Sequence, residues 1–202
     1  EERPEGYLLL RRPECCGRPL GSFQAREEVL PPRARGSQPE GTSSRSYEEL
    51  YSHLHASEYN EGLRAAAPSS ATSLAEALAR AAGRLPAGGG RLRKVVDLGC
   101  SYGQAVKRLH DLGFHAWGVD VARNAIEWAK LTHGRTCGDG REACFASASL
   151  LELPFKDHMF DAGISGDVLE HVLPSDVPGV VTEISRVVRD HLLLKIAAFP
   201  ER

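Results

Sequence analysis

The stretch Val-Val-Asp-Leu-Gly-Cys-Ser-Tyr-Gly at residues 95–103 contains the residues best suited to bind a ligand. An apolar run ends around Asp97, and a turn that contains Gly99 and Gly103 follows at once. Glycine lets the backbone approach a ligand without a Cβ in the way, and open α/β sheets bind nucleotide-like ligands where a strand turns into a helix. Asp97 could accept hydrogen bonds from a cationic amino group there. The glycines alone would fit an ordinary strand-turn-helix connection about equally well.

A second acidic residue, Asp120, ends the run Gly-Val-Asp and follows the glycine turn by about 20 residues. In Rossmann-type sites an acid at this place accepts hydrogen bonds from both ribose hydroxyls. Asp120 could also cap a helix that begins near Ala122, because aspartate is favoured at helix N-termini. The two roles are compatible.

The turn lacks the patterns that bind phosphate. Its spacing is Gly99-x-Ser101-x-Gly103 rather than the G-x-G-x-x-G of dinucleotide sites, and the sequence has no GKS or GKT phosphate loop. A carboxylate beside the turn suits a ligand that carries an ammonium group and no phosphate. S-adenosylmethionine (SAM) is such a ligand.

The elements that must position these residues alternate between strand and helix from Arg93 onward. Short apolar runs predict strands at 94–98, 115–119, 144–148, 160–165 and 191–198. Apolar residues at helical spacing predict helices at 104–112, 122–129 and 177–188. This alternation predicts an α/β fold, namely a Rossmann-like, doubly wound, mainly parallel sheet with helices on both faces.

The sequence before this core divides into two parts. Residues 1–45 hold six of the twelve prolines and no sustained apolar period, which predicts a disordered or extended arm with a short strand at 6–10 as its only element. Capping boxes at Ser46 with Glu49 and at Ser73 with Glu76 predict two helices in a lead-in at 46–90. The predicted Rossmann-like core then spans 91–202, within a SAM-binding domain of 46–202.

Composition argues against several classes of partner. Lys and Arg number 25 against 27 Asp and Glu, so no general electrostatic attraction to nucleic acid or anionic membrane is expected. No apolar run approaches the roughly 20 residues that span a bilayer. The five cysteines form no C-x-x-C pair, and we expect no metal site. A soluble protein is expected and the cytoplasm is favoured, although the compartment stays open.

Four stretches resemble, in order and spacing, the successive motifs of class I SAM-dependent methyltransferases. They are VVDLGCSYG, GVDVA, LPFKDHMFD at 153–161 and DVLEHV at 167–172. The resemblance covers roughly residues 93–198. It implies an enzyme that transfers a methyl group from SAM, without a metal, to an acceptor.

The resemblance also implies roles for individual residues. Asp97 and the backbone of the glycine turn would hold the methionine part of SAM, Asp120 the ribose, and the Leu150 N–H the adenine ring. Asp167, just past the fourth strand, would face the methyl group. The implied cofactor-binding residues are Asp97, Gly99, Cys100, Ser101, Gly103, Asp120, Val121, Ser149, Leu150 and Asp167.

Two positions weaken this assignment, and a third residue bears on catalysis. Ser149 stands where the family usually has an aspartate for the adenine amino group, so its hydrogen bond lacks charge assistance and cofactor affinity would fall. Ser101 replaces the central glycine of the turn and is tolerable only if its φ is not positive. His171 is a weak candidate for a general base, because a lone histidine on a helix is more often structural.

The sequence does not identify the methyl acceptor. A small-molecule acceptor is the leading hypothesis, an RNA or protein acceptor the second, and an inactive module that binds SAM or only keeps the fold the third. Tyr47, Tyr51 and Tyr59 are candidates for the acceptor pocket, with core packing expected for the first two. The family usually adds an antiparallel strand pair after the fifth strand, so we expect that the sequence is a fragment. The alternative is a fifth strand that stays partly unprotected.

Overall fold

The computed structural model describes residues 7–11, 24–25, 47, 49, 70–83, 93–134 and 144–196. The strands are β1 Tyr7–Arg11, β2 Gln24–Ala25, β3 Lys94–Leu98, β4 His115–Asp120, β5 Phe145–Ser147, β6 Phe160–Gly166 and β7 Val188–Lys195. The helices are α1 Ser70–Gly83, α2 Gln104–Asp111, α3 Arg123–His133 and α4 Val177–Val187, with a 3₁₀ helix at Leu169–His171. None of the helices in the described residues is both long and apolar enough to cross a membrane.

The strands form one sheet in the order β2-β1-β7-β6-β3-β4-β5. The five strands from β3 to β7 are parallel to one another, whereas β1 is antiparallel to both β2 and β7. The predicted Rossmann-like, mainly parallel fold is thereby confirmed. The chain order runs outward in opposite directions from β3 and β6, so the topological switch point, where such sheets bind ligands, lies between these two strands.

Alternate residues of the central strand pack on opposite faces of the sheet. Val95 belongs to a core with Leu74 of α1 and Leu109 of α2, whereas Val96 belongs to a core with Val180 and Ile184 of α4. Because successive strand side chains point to opposite faces, a short apolar run such as β3 requires helices on both sides. This doubly covered sheet holds the strand ends rigidly.

The first strand covers the edge of the fifth parallel strand. β1 pairs with β7 along its whole length, from Tyr7 opposite Lys195 to Arg11 opposite His191. The alternative of a partly unprotected fifth strand is therefore wrong. β1 lies one residue later than the strand predicted at 6–10, and β2 was not expected. Both belong to the sheet rather than to a separate arm, and the rest of the predicted arm lies outside the described residues.

The lead-in helix begins earlier than its capping box predicts. α1 starts at Ser70, so Ser73 lies inside the helix. Glu76 instead receives two hydrogen bonds from the Arg108 guanidinium of α2, at 2.7 and 3.2 Å. A contact between helices has thus replaced the predicted cap. Of the other predicted lead-in helix, the structure describes Tyr47 and Glu49, both helical, and Ser46 lies outside the described residues.

Helix α4 runs directly into strand β7. The helix was predicted to include Val188 and the strand to start at 191, but Val188 is already extended and pairs with Phe160 of β6. A β-branched residue fits a strand well, and pairing with β6 decides the boundary. Val177 and Val181 of α4 are 41% and 42% exposed, so the buried face is narrower than the apolar spacing predicts. Residues 197–198 of the predicted strand lie outside the described residues.

Candidate functional site

The carboxyl ends of β3, β4 and β6 bring three predicted acids to one edge of the sheet. Asp97 is the penultimate residue of β3, Asp120 ends β4, and Asp167 follows β6 directly. β3 lies between the other two strands, with Asp97 opposite Gly118 on one side and Ile164 on the other. The three acids therefore lie around the switch point of the sheet.

Backbone hydrogen bonds fasten the glycine turn to the end of β4. The N–H groups of Gly99 and Cys100 both donate to the Val119 carbonyl, at 2.8 and 3.0 Å, and the Gly103 N–H donates to the Cys100 carbonyl at 2.9 Å. The Cys100 side chain is buried. The turn is thus fixed before any ligand arrives.

Asp120 is held by one backbone hydrogen bond on each carboxylate oxygen. Its Oδ2 accepts from the Ser101 N–H and its Oδ1 from the Ala122 N–H, both at 2.8 Å. The N-cap of α3 is Ala122, with no side-chain cap, so Asp120 braces the turn rather than capping the helix. A carboxylate has about four acceptor positions, and these two bonds fix its orientation toward the edge of the sheet.

Asp97 is a buried carboxyl group, only 5% exposed. Among the described residues none donates a hydrogen bond to its side chain. Burial away from water, followed by the nearby charge of Asp120, raises the pKa of Asp97 to about 8. A buried carboxyl group of this kind favours a cationic ligand, which would stabilise its ionised form.

The two glycines of the turn are required by both conformation and packing. Gly99 and Gly103 have φ values of 84° and 80°, in the region that side chains rarely adopt. A Cβ on Gly99 would overlap the Val168 side chain, and one on Gly103 would lie 2.6 Å from Phe145. The segment after β6 therefore packs against the turn, a contact that the sequence did not reveal.

Ser101 has a φ of 47°, so the condition under which it was expected to be tolerable is not met. A left-handed conformation costs a non-glycine residue roughly 1–2 kcal/mol. Its N–H bond to Asp120 holds it in place. The turn therefore contains local strain at this serine.

The predicted adenine-side residues follow β4 and β5. The Ala148 N–H donates to the Asp120 carbonyl at 3.0 Å, and the Ser149 hydroxyl oxygen accepts from the Leu151 N–H at 3.2 Å. That hydroxyl keeps one donor and further acceptor capacity. Within the described residues no group accepts a hydrogen bond from the Leu150 N–H. Val121, directly after Asp120, is half-buried.

On the other side of the switch point, Asp167 contacts a residue that the sequence did not single out. Asp167 has a φ of 56°, and its N–H donates to the Lys195 carbonyl at 2.9 Å. The Lys195 Nζ lies 3.6 Å from the Asp167 Oδ2. Sequence reasoning missed Lys195 because it placed this residue inside a strand at 191–198. The sequence feature that could have identified Lys195 as a site residue is that this lysine interrupts an apolar run.

His171 ends the 3₁₀ helix at Leu169–His171 rather than lying on a longer helix. Its side chain is exposed, and its backbone N–H donates to the Val168 carbonyl at 2.9 Å. The structure therefore gives His171 no buried position next to Asp97 and Asp120.

Tyr47 connects the lead-in to the segment after β6. Its hydroxyl accepts a hydrogen bond from the Leu173 N–H at 2.8 Å and donates one to the Asp176 Oδ2 at 3.2 Å. Burial is the largest cause that raises its pKa, and the Asp176 charge adds to it. Tyr47 is thus more than a packing residue, whereas Tyr51 and Tyr59 lie outside the described residues. In the described part of the chain, no group of three or more His, Cys, Asp or Glu side chains is placed to hold a metal ion.

Comparisons with known proteins find similar sequences for this part of the chain. Residues 96–193 match a family model described as a methyltransferase domain. An uncharacterized protein of Methanocaldococcus jannaschii is 30% identical over 96 residues, which cover 48% of this chain and 36% of that protein. The chain therefore spans only about a third of the length of this curated relative.

Two solved structures share the fold. Magnesium protoporphyrin IX methyltransferase of Synechocystis PCC 6803, solved with bound S-adenosylhomocysteine (SAH), has a TM-score of 0.57 at 17% identity over 75% of this chain and 70% of that chain. The (4+2)-cyclase SpnF has a TM-score of 0.56 at 20% identity over 75% and 58% of the two chains. One is named as a methyltransferase and the other as a cyclase, so these likenesses establish the fold alone.

The family match covers the glycine turn and the strand ends that carry Asp97, Asp120 and Asp167. Residues 96–193, just under half of the chain, are therefore similar to a methyltransferase domain family, and the sheet on which they lie has the fold of a methyltransferase solved with bound SAH.

Proposed function

We propose that this chain binds SAM at the carboxyl ends of β3 and β4 and transfers its methyl group to a small-molecule acceptor. The observation that carries the proposal is the pairing of Asp97, buried and without a described hydrogen-bond donor, with Asp120, which the turn itself holds in place. Because two acids at neighbouring strand ends favour a cation, they suit a nucleoside that carries an ammonium group.

Each part of SAM has a set of residues in this proposal. Asp97 takes the ammonium group, the turn backbone from Gly99 to Gly103 holds the methionine part, and Asp120 accepts the ribose hydroxyls. The adenine ring lies by Val121 and receives hydrogen bonds from Ser149 and Leu150. Support comes from the fixed turn and from the unused Leu150 N–H among the described residues.

The reaction needs little acid-base chemistry from the protein. Bound SAM supplies the activated methyl group, and the chain's residues orient both partners and exclude water. Asp167 lies at the switch point, on the side of the acceptor. His171 stays the weak candidate for a general base, since its side chain is exposed.

A small-molecule acceptor fits the charge of the chain better than a nucleic acid does. The formal net charge is −2, whereas binding to a phosphate backbone depends on an excess of Lys and Arg. A protein acceptor is the competing possibility that charge does not address. A methyl-transfer screen with labelled SAM against metabolite, RNA and peptide pools decides among the three: label in the RNA or peptide pool alone contradicts the proposal.

A non-catalytic, SAM-binding module is the second candidate. It is favoured by Ser149, which lacks the charge of the usual aspartate, and by the left-handed Ser101. Binding of SAM without label in any pool would select this candidate.

The cofactor site is tested by calorimetry with SAM. We expect the wild-type protein to bind and the double variant Asp97→Ala, Asp120→Ala to lose binding by at least a hundredfold. Asp111→Asn is the matched control, because Asp111 lies on the surface of α2 and pairs with Lys107. Undiminished binding by the double variant would place the site elsewhere. Absence of binding by the folded wild type would overturn the proposed function.

A further inference from the structure

Lys195 is the last residue of β7 and lies at the same edge of the sheet as the acids. It is opposite Gly166 of β6 and opposite Tyr7 of β1. Neighbouring strands thus hold its backbone on both sides, and its side chain is only 14% exposed. A lysine in this position has its charged group confined to a small region near the end of β6.

Two different atoms of Lys195 contact Asp167. The Lys195 carbonyl accepts the Asp167 N–H at 2.9 Å, and the Lys195 Nζ lies 3.6 Å from the Asp167 Oδ2. One contact fixes the backbone of Asp167 and the other restrains its carboxylate.

The conformation of Asp167 needs such support. Its φ of 56° is left-handed, which is uncommon for a residue other than glycine. Strained backbone of this kind persists where the surroundings over-determine it, and it concentrates at functional sites. Asp167 also directly follows β6, which pairs with β3, the strand of Asp97. The strain therefore lies at the switch point.

We propose that Lys195 is a positioning residue that holds the Asp167 carboxylate toward the positively charged sulfonium of bound SAM. This inference rests on the proposed function. With Asp97 assigned to the ammonium group and Asp120 to the ribose, Asp167 is a third carboxylate at the same edge, on the acceptor side of β3. A carboxylate directed at the sulfonium distinguishes SAM, which carries that charge, from SAH, which has lost both the methyl group and the charge.

Positioning and simple charge balance predict opposite effects of removing the lysine. If the Lys195 ammonium acted only as a nearby cation, its loss would remove a repulsion and raise the affinity for SAM relative to SAH. If it positions Asp167, its loss lets the carboxylate turn away and lowers that relative affinity. The ratio of the two dissociation constants therefore decides between the roles, without any acceptor.

The experiment measures Kd for SAM and for SAH by calorimetry with the wild type and with Lys195→Met, Lys195→Arg and Asp167→Asn. We expect Lys195→Met and Asp167→Asn each to lower the preference for SAM over SAH about fivefold, as expected for one partly screened charge. Lys195→Arg should restore at least half of the preference. In the Asp167→Asn background, Lys195→Met should lower it no further.

Lys94→Met is the matched control, because Lys94 begins β3 at the opposite edge of the sheet and is exposed. It should leave the ratio unchanged. If Lys195→Met does not fold, Lys195→Gln replaces it, and Asp167→Asn against Asp167→Glu tests the carboxylate independently. An unchanged or increased preference for SAM in Lys195→Met, or in Lys195→Gln if that replaces it, overturns the inference while leaving the proposed function intact. A wild type that binds neither SAM nor SAH overturns both.

Discussion

The carboxyl group of Asp97 is buried next to the charge of Asp120, and both conditions raise its pKa to about 8. At pH 7 the free protein therefore holds Asp97 mainly protonated. A bound ammonium group favours the ionised carboxylate, so ligand binding and loss of this proton are coupled. At the scale of single residues, this coupling is the most direct consequence of the fold.

We expect SAM binding at pH 7 to release a proton from Asp97. The sign follows from the pKa, which is high in the free protein and lower once a cation is bound, so affinity rises with pH from about 6 to 7.5. Calorimetry in two buffers of different ionisation enthalpy measures the release. Asp97→Asn should remove the buffer dependence. Equal binding enthalpies for the wild type in both buffers would contradict the prediction.

Ser101 provides a second prediction at this scale. Its left-handed φ of 47° is accessible to glycine without strain and poorly accessible to a β-branched residue. We expect Ser101→Val to lower the free energy of unfolding by about 2 kcal/mol and Ser101→Gly to leave it unchanged or to raise it by up to about 1 kcal/mol. Urea denaturation gives both values, and a valine variant as stable as the wild type would refute the assigned conformation.

The acids of the site could be found from the sequence, whereas the contacts between them and their neighbours could not. Asp97 and Asp120 stand at the ends of apolar runs, and strand ends at one edge are a property of any parallel sheet. The contact of Lys195 with Asp167, by contrast, depends on the register between β6 and β7. Register is set by packing over the whole sheet and leaves no local signal in the sequence.

At the scale of elements, Arg186 joins helix α4 to the segment between β5 and β6. Its guanidinium donates to the carbonyls of Phe155 and Leu153, at 2.7 and 3.0 Å, and to the carboxylates of Glu183 and Asp157. These acids raise its pKa above the usual arginine value. One side chain thus fixes a segment that has no regular secondary structure of its own.

We expect Arg186→Met to lower the free energy of unfolding by about 2 kcal/mol, since several charge-assisted hydrogen bonds disappear and two carbonyls lose their donor. Arg186→Lys should recover less than half, because a single ammonium cannot reach all four partners. Lys107→Met, which breaks an exposed pair with Asp111, is the control and should cost no more than about 0.5 kcal/mol. Equal effects of the Arg186 and Lys107 variants in urea denaturation would argue against the network.

The sequence predicts which elements are helices and which are strands, because each type has its own spacing of apolar residues. It does not predict where α1 and β7 begin. α1 begins before Ser73 because Glu76 pairs with Arg108 instead of closing a capping box. β7 begins at Val188 because that residue pairs with Phe160. In both cases a partner distant in the sequence outweighs the local signal.

For the whole molecule, the decisive feature is the antiparallel pairing of β1 with β7. Segment 1–45 gives little sign of it, because its prolines and charges outweigh one short apolar run. Which sheet edge a short strand joins depends on which edge is open, and this is known only once the other strands are placed. The sequence could therefore indicate a strand at 6–10 but not its place in the sheet.

We expect Leu9→Pro to destabilise the sheet from its edge. Proline cannot donate to a ladder and is poorly tolerated in a strand paired on both sides, and β1 is paired with both β2 and β7. Amide hydrogen exchange should show faster exchange in β7, with that of β4 unchanged. Leu9→Val is the control, because it keeps the backbone N–H donor at this position. Unaltered exchange in β7 would show that β1 does not protect it.

The partnership of Leu9 with Leu193 joins residues separated by most of the chain. During synthesis, β1 is made first among the described strands and β7 last, so the side of β1 that faces β7 stays unpaired, with β2 as its available partner, while the strands between them emerge. Contacts between such distant positions are slow to form, and an unpaired strand is exposed to aggregation. The sheet is therefore completed late in synthesis. We expect the yield on expression to depend on how much of the chain aggregates before β1 pairs with β7.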